Sequence, residues 1–81
     1  MAEIKFDIVK SFGVISEGSK GWTKELNMVS WNGRKPKADI RDWDEAHEKM
    51  GKGITLNIEE LKTLKELLDK VDFDKLEEEV E

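Results

Sequence analysis

Three tryptophans and eight cations interleave through the middle of an 81-residue chain. In order they are Lys20, Trp22, Lys24, Trp31, Arg34, Lys35, Lys37, Arg41, Trp43, Lys49 and Lys52. A single-stranded nucleic-acid site needs this combination, because bases of any sequence stack on flat rings while Lys and Arg track the phosphates. Asn27 joins the set as a polar group on the same stretch as Trp31. Gly51-Lys52-Gly53 places a lysine where backbone can approach a ligand closely, although no phosphate-binding loop of the Gly-x-x-x-x-Gly-Lys-Ser/Thr type is formed. The alternative is that the indoles fill core and edge positions while the lysines solubilise the domain.

Other chemistries have less to work with. Cysteine is absent and His47 is the single histidine, which removes disulfides, thiolate metal sites, cysteine nucleophiles and multi-histidine centres. Asp42, Asp44, Glu45, His47 and Glu48 form the densest set of metal-ligand types. They match neither an EF-hand nor a His-Glu-x-x-His spacing, so a solvated loop is the better reading. No nucleophile sits in a recognisable motif. The expectation is no enzyme, no cofactor and no metal.

Net charge is −5, yet residues 72–81 set six acids against Lys75 and account for all of it. The first 71 residues are neutral, and from Gly18 to Gly53 eight cations face six acids. Local charge, not the total, contacts phosphate. The longest charge-free stretch is the eight residues from Leu26 to Gly33, far short of a membrane span. The N-terminus enters an alternating pattern directly, which suggests an intracellular, cytoplasmic protein, nucleoid-associated if bacterial.

The elements that must position these residues follow from periodicity. Ile4, Phe6, Ile8, Phe12 and Val14 occupy even positions, predicting one long strand or two halves joined near Lys10–Gly13. A second strand runs from Trp22 to Trp31 and ends at Asn32-Gly33, the strongest short hairpin signal. Pro36 delays the third to Lys37–Trp43, and Lys52–Leu56 makes a fourth. Asn57 then caps a helix, with Glu60 completing a capping box. The pattern predicts an α+β fold with a four-stranded sheet and one C-terminal helix. Residues 1–71 form the domain and 72–81 an acidic helix extension or tail. The helix covers the face bearing the even residues of strand one with Leu26, Met28, Ala38, Ile40, Ile54 and Leu56. The other face displays Asn27, Trp31, Asp39, Arg41, Trp43 and Thr55, and exposed aromatic surface marks an interaction site. Ile58, Leu61, Leu64, Leu67, Leu68 and Val71 cover about half the helix circumference, more than one sheet face requires. A homodimer seam through Leu61, Leu64, Leu68 and Val71 would use the surplus.

Residues 24–32 (Lys-Glu-Leu-Asn-Met-Val-Ser-Trp-Asn), Asp39-Ile40-Arg41-Asp42-Trp43, and 47–56 (His-Glu-Lys-Met-Gly-Lys-Gly-Ile-Thr-Leu) with the leucine-rich helix resemble the transcriptional positive cofactor 4 domain, closest to its bacterial YdbC-like branch. The resemblance spans residues 4–75. It implies a curved antiparallel sheet, dimerisation through the helices, and single-stranded DNA bound with little sequence preference. By position, it implies that Trp31 is a stacking aromatic, Arg41 the strand-three arginine, Trp43 part of the aromatic pair beyond it, and Lys52 and Gly53 the pair entering strand four. Lys35 or Lys37 matches the hairpin lysine. Val29 stands where the eukaryotic relatives carry a basic residue, which makes this channel less cationic. The reading is a non-enzymatic single-stranded-DNA-binding homodimer, serving transcription or DNA maintenance. A protein-interaction module using the same Trp/Arg face, and a single-stranded RNA binder, are the competing readings.

Overall fold

The computed structural model describes residues 5–80; Ile4, the first of the alternating residues, lies outside them. Four strands, β1 (Phe6–Glu17), β2 (Thr23–Trp31), β3 (Lys37–Trp43) and β4 (Met50–Leu56), form one antiparallel sheet in chain order. Helices α1 (Ile58–Asp69) and α2 (Phe73–Val80) follow. At the Asn32-Gly33 turn both residues have positive φ, 52° and 74°, and Arg34 N–H donates to the Trp31 carbonyl at 3.0 Å. The Asn57–Glu60 capping box is formed in both directions.

The even positions of β2, β3 and β4 face α1 as the alternation predicts, with Ile40, Ile54 and Leu56 beside Leu64 and Leu67. Strand β1 departs from its prediction. Its twelve residues span the nine of β2 because the register slips three times, at Val9, Phe12 and Ile15. Each extra residue reverses which side the following side chains face. Phe6 and Ile8 therefore pair with Trp31 and Val29, on the side away from α1. Phe12 and Ile15 lie with Leu26 on the helix side. A strict period of two cannot report a bulge.

Those bulges bend β1 and roll the sheet. In a flat sheet the rows of Phe6/Trp31 and of Trp43 would be about 26 Å apart, eight residues at ~3.3 Å each. Instead the Phe6 and Trp43 ring centroids are 5.0 Å apart, and Phe6 and Trp31 6.1 Å. The side away from α1 is thus the inside of a curl. Trp43, expected on an open face, is fully buried there with Val29, Asn27 and Asp39.

One helix was expected and two are present. Lys70 and Val71 close α1 with tight bonds back to Leu67 and Leu68. Asp72 then accepts the Lys75 N–H on Oδ1 at 3.1 Å, and a new capping residue starts a new helix. Leu61 and Leu64 are half-buried against the sheet, whereas Leu67, Leu68, Phe73, Leu76 and Val80 are exposed. Among the described residues only Val29, Ala38 and Trp43 are fully buried apolar side chains.

Trp43→Ala should therefore cost about 3–5 kcal/mol of stability, as for a large core aromatic. Urea unfolding checks this, and an unchanged midpoint would show that Trp43 is not in the core.

Candidate nucleic-acid interface

Inside the curl, β3 carries Asp39 and Arg41 two residues apart on one face. Asp39 is wholly buried, and both carboxylate oxygens are used: Arg41 Nε donates to Oδ1 at 2.7 Å and Thr55 Oγ1 to Oδ2 at 3.1 Å. A buried charge requires such pairing, since an uncompensated one costs several kcal/mol. Arg41 Nη1 lies 3.5 Å from Met50 Sδ, and its guanidinium carbon sits 4.7 Å from the Trp31 ring centroid. Arg41 and Trp31 are six residues apart in register, about 20 Å in a flat sheet, so only the curl lets them stack. The Arg41 side chain keeps 14% of its exposure, and Trp31 is half-buried. The two form a cation–π pair at the edge of the packed interior.

Gly53 lies opposite Arg41. A Cβ there would overlap Arg41 Cβ and the Ile40 carbonyl oxygen, so the missing side chain makes room for the arginine stem. This is the structural content of the Gly-Lys-Gly run.

Further along the same face, Asn27 Nδ2 donates to Glu25 Oε1 at 3.1 Å, and Thr23 donates to Oε2. His47 Nε2 lies 3.0 and 2.9 Å from the two Glu25 oxygens. A carboxylate only accepts, so this ring nitrogen carries the proton. The imidazole also stacks on Trp43, with centroids 5.9 Å apart. Burial pushes the Glu25 carboxyl up, but the hydrogen bonds from Thr23, Asn27 and His47, with the electrostatic attraction of His47, outweigh it and hold the group below its ordinary 4.5. Asn27, expected at the binding surface, is thus a buried structural residue.

The expected site residues divide into three groups. Asn27, Trp31, Arg41, Trp43 and Gly53 come together inside the curl, with Lys37 at its hairpin end opposite Val29. Arg34 and Lys35 are exposed in the turn beside Trp31. At the other end of the sheet, Lys20 and Lys49 are exposed and Trp22 half-buried. Lys24 pairs with Asp42 on the side facing α1, away from the Trp31–Arg41 pair, and Lys52 is exposed in the irregular stretch of β4 between Met50, opposite Trp43, and Gly53, opposite Arg41. Phe6, Glu25, His47 and Met50 were not singled out as partners of this cluster. The polar alternation of Thr23, Glu25 and Asn27 was the available signal. In the acidic loop, Asp44 Oδ1 accepts the Glu48 and Lys49 N–H groups at 2.8 and 2.9 Å. Among the described residues no group of three or more His, Asp or Glu side chains is placed to hold a metal ion.

Gly53→Ala should destabilise the domain by about 1–3 kcal/mol, as overpacking does, and weaken nucleic-acid binding by displacing Arg41. Gly51→Ala, whose Cβ would meet Asp42 Cβ at 3.3 Å, should cost less; equal stabilities by urea unfolding would refute the assignment. A second outcome concerns acid. Because the folded Glu25 value is depressed, its stabilising contribution is complete above the unfolded value near 4.5 and is lost as pH falls through the lower folded value. Urea midpoints from pH 6 downward should fall more steeply for the unsubstituted protein than for Glu25→Gln. Parallel curves would remove Glu25 as the cause.

Comparison with known proteins bears on this geometry. The family model described as Transcriptional Coactivator p15 (PC4) matches residues 18–67, from the turn before β2 to α1. A protein of Treponema pallidum (strain Nichols), described as uncharacterized, is 39% identical over 72 residues, covering 89% of this chain and 85% of its own length. Matched by the family model over more than half its length, the chain belongs to the transcriptional coactivator p15 (PC4) family of nucleic-acid-binding, non-catalytic domains.

Proposed function

We propose that this chain is a non-enzymatic homodimer that binds single-stranded DNA with little sequence preference, in the cytoplasm, as a transcription or DNA-maintenance cofactor. The observation that carries this reading is the stacking of Arg41 on half-exposed Trp31, immediately beside exposed Arg34, Lys35 and Lys37. An indole face next to four cations offers a base a stacking partner and its phosphates counter-charges. Because Asp39 and Met50 hold the guanidinium in place, little ordering entropy is lost when a ligand arrives. Lys20 and Lys49, exposed at the other end of the sheet, would extend the phosphate contacts along the same nucleic-acid strand. Trp43 has no part in stacking in this reading; it supports the curl.

The dimer is supported by what α1 leaves uncovered. Leu67, Leu68 and Ile54 remain about half exposed, at 53%, 48% and 53%. Grooves of about 440 and 500 Å³ flank α1. A chain of this length with so small a buried core gains much from a second copy.

Fluorescence anisotropy with a labelled single strand tests the reading. Four to six phosphate contacts predict a slope of log K against log[salt] of roughly −3 to −4, at about 0.7 per phosphate. Trp31→Ala should weaken binding about five- to 150-fold, the worth of a stacked base. Lys35→Ala with Lys37→Ala should weaken it and flatten the slope without altering stability, while Lys10→Ala on the helix side does neither. Tighter binding of RNA would transfer the function to that ligand. Salt-independent binding, or none, would leave the protein-interaction module.

A further inference from the structure

Four aromatic rings form a row inside the curl. Trp31, Phe6, Trp43 and His47 follow one another at centroid distances of 6.1, 5.0 and 5.9 Å. Trp43 is wholly buried, whereas the rings at the two ends, Trp31 and His47, are half-buried. The function proposed above uses the Trp31 end and gives His47 no role beyond packing. Yet the His47 side chain keeps 41% of its exposure, while the Glu25 carboxylate behind it keeps 7%. Both Glu25 oxygens hold Nε2, which leaves Nδ1 as the one polar atom of the ring still free to act. Nδ1 makes no hydrogen bond to the described residues and is not buried; it faces solvent. The backbone is unusual at the same residue. His47 has φ of 58°, and left-handed backbone outside glycine costs energy that is commonly met at ligand-binding positions.

The charges around the ring decide what Nδ1 can do. Lys49, two residues on, and Lys20, in the turn before β2, are exposed. Arg41, opposite Glu25 in register, is committed to Asp39. Of the nearby acids, Glu25 is committed to Thr23, Asn27 and His47. Asp44 Oδ1 accepts two backbone N–H groups, Glu45 lies against Gly21, and Glu48 is exposed. Histidine alone among these residue types ordinarily titrates between about pH 5 and 8. Glu25, held below 4.5 by its donors, stays a carboxylate throughout that range. A second proton on the ring therefore goes to Nδ1, at the exposed edge, with Glu25 as counter-ion on the other side. We propose that His47 is a further phosphate contact for a bound single strand, its imidazolium donating from Nδ1–H while Glu25 fixes the ring from behind. The inference rests on the single-strand reading above and adds a proton-dependent contact at the opposite end of the aromatic row from Trp31. Binding then takes up a proton, so affinity rises as pH falls through the imidazole range.

The test uses the full chain and a labelled oligothymidine, whose bases stay uncharged over the range in which imidazoles titrate. The chain has one histidine, so its ring-proton NMR signal is unique. Saturating strand should raise the midpoint of that titration by about 0.5 to 1 pH unit. Anisotropy should show the same coupling from the ligand's side, with binding about three- to tenfold tighter at about pH 5.5 than at about pH 8. The slope of log K against log[salt] should steepen by about 0.7 at the lower pH, the worth of one more phosphate contact. His47→Gln, which keeps a donor for Glu25 and loses the charge, should bind at both pH values as the unsubstituted protein does at the higher one. A strand that binds while the His47 midpoint stays fixed would overturn the phosphate contact and leave the single-strand reading standing. Undiminished pH dependence in folded His47→Gln would overturn it as well, by placing the proton elsewhere. No binding at either pH would overturn both. Should His47→Gln fail to fold, the NMR titration of the unsubstituted protein decides alone.

Discussion

The curl of the sheet is the constraint on which the rest depends. A carboxylate buried as fully as Asp39 persists only if a cation and a further donor reach it, and Arg41 and Thr55 supply both. Having given Nε to Asp39, the arginine extends across the concave side and meets Trp31. That meeting is geometrically impossible in a flat sheet. The β1 bulges provide the bend, Gly53 the room, and Phe6 with Trp43 the packed floor. The features attributed to binding and those attributed to folding are in this region the same atoms. Substitutions inside the curl must therefore be judged by stability before affinity, whereas Arg34, Lys35 and Lys37 at the rim are free of that ambiguity.

Much of this was legible in the residues. The number of strands, the Asn32-Gly33 turn, the Asn57 cap and the facing of β2 to β4 follow from local rules that the structure obeys, because each is decided within a few residues. The facing of Phe6 and Ile8 is decided elsewhere, by insertions that only the partner strand reveals. The burial of Trp43 was illegible for the same reason. Alternation correctly put it on the side away from α1 but carries no information on whether that side is flat or rolled. His47 shows a third kind of limit. Its neighbours in sequence are acids, yet its partner is Glu25, twenty-two residues away, and no spacing rule links them.

The same physics explains why two helices replace one. The apolar spacing runs past Val71 into Phe73, Leu76 and Val80, so periodicity alone extends α1. Local capping overrides it: a carboxylate at Asp72 accepts a backbone N–H three residues on, and Lys70 and Val71 close the preceding turn. The break frees the second apolar stripe from the axis of the first, so the two stripes can address different surfaces.

Charge segregation connects these halves. A site for phosphates is weakened by any carboxylate within about a Debye length, ~8 Å at physiological salt, yet this chain carries an excess of five negative charges. Of the buried acids near the site, Asp39 is paired with Arg41 and Glu25 is turned inward onto Thr23, Asn27 and His47. The surplus is collected in the last ten residues, after a break that uncouples them from α1. An acidic segment left loose would compete with a nucleic acid for Arg34, Lys35 and Lys37.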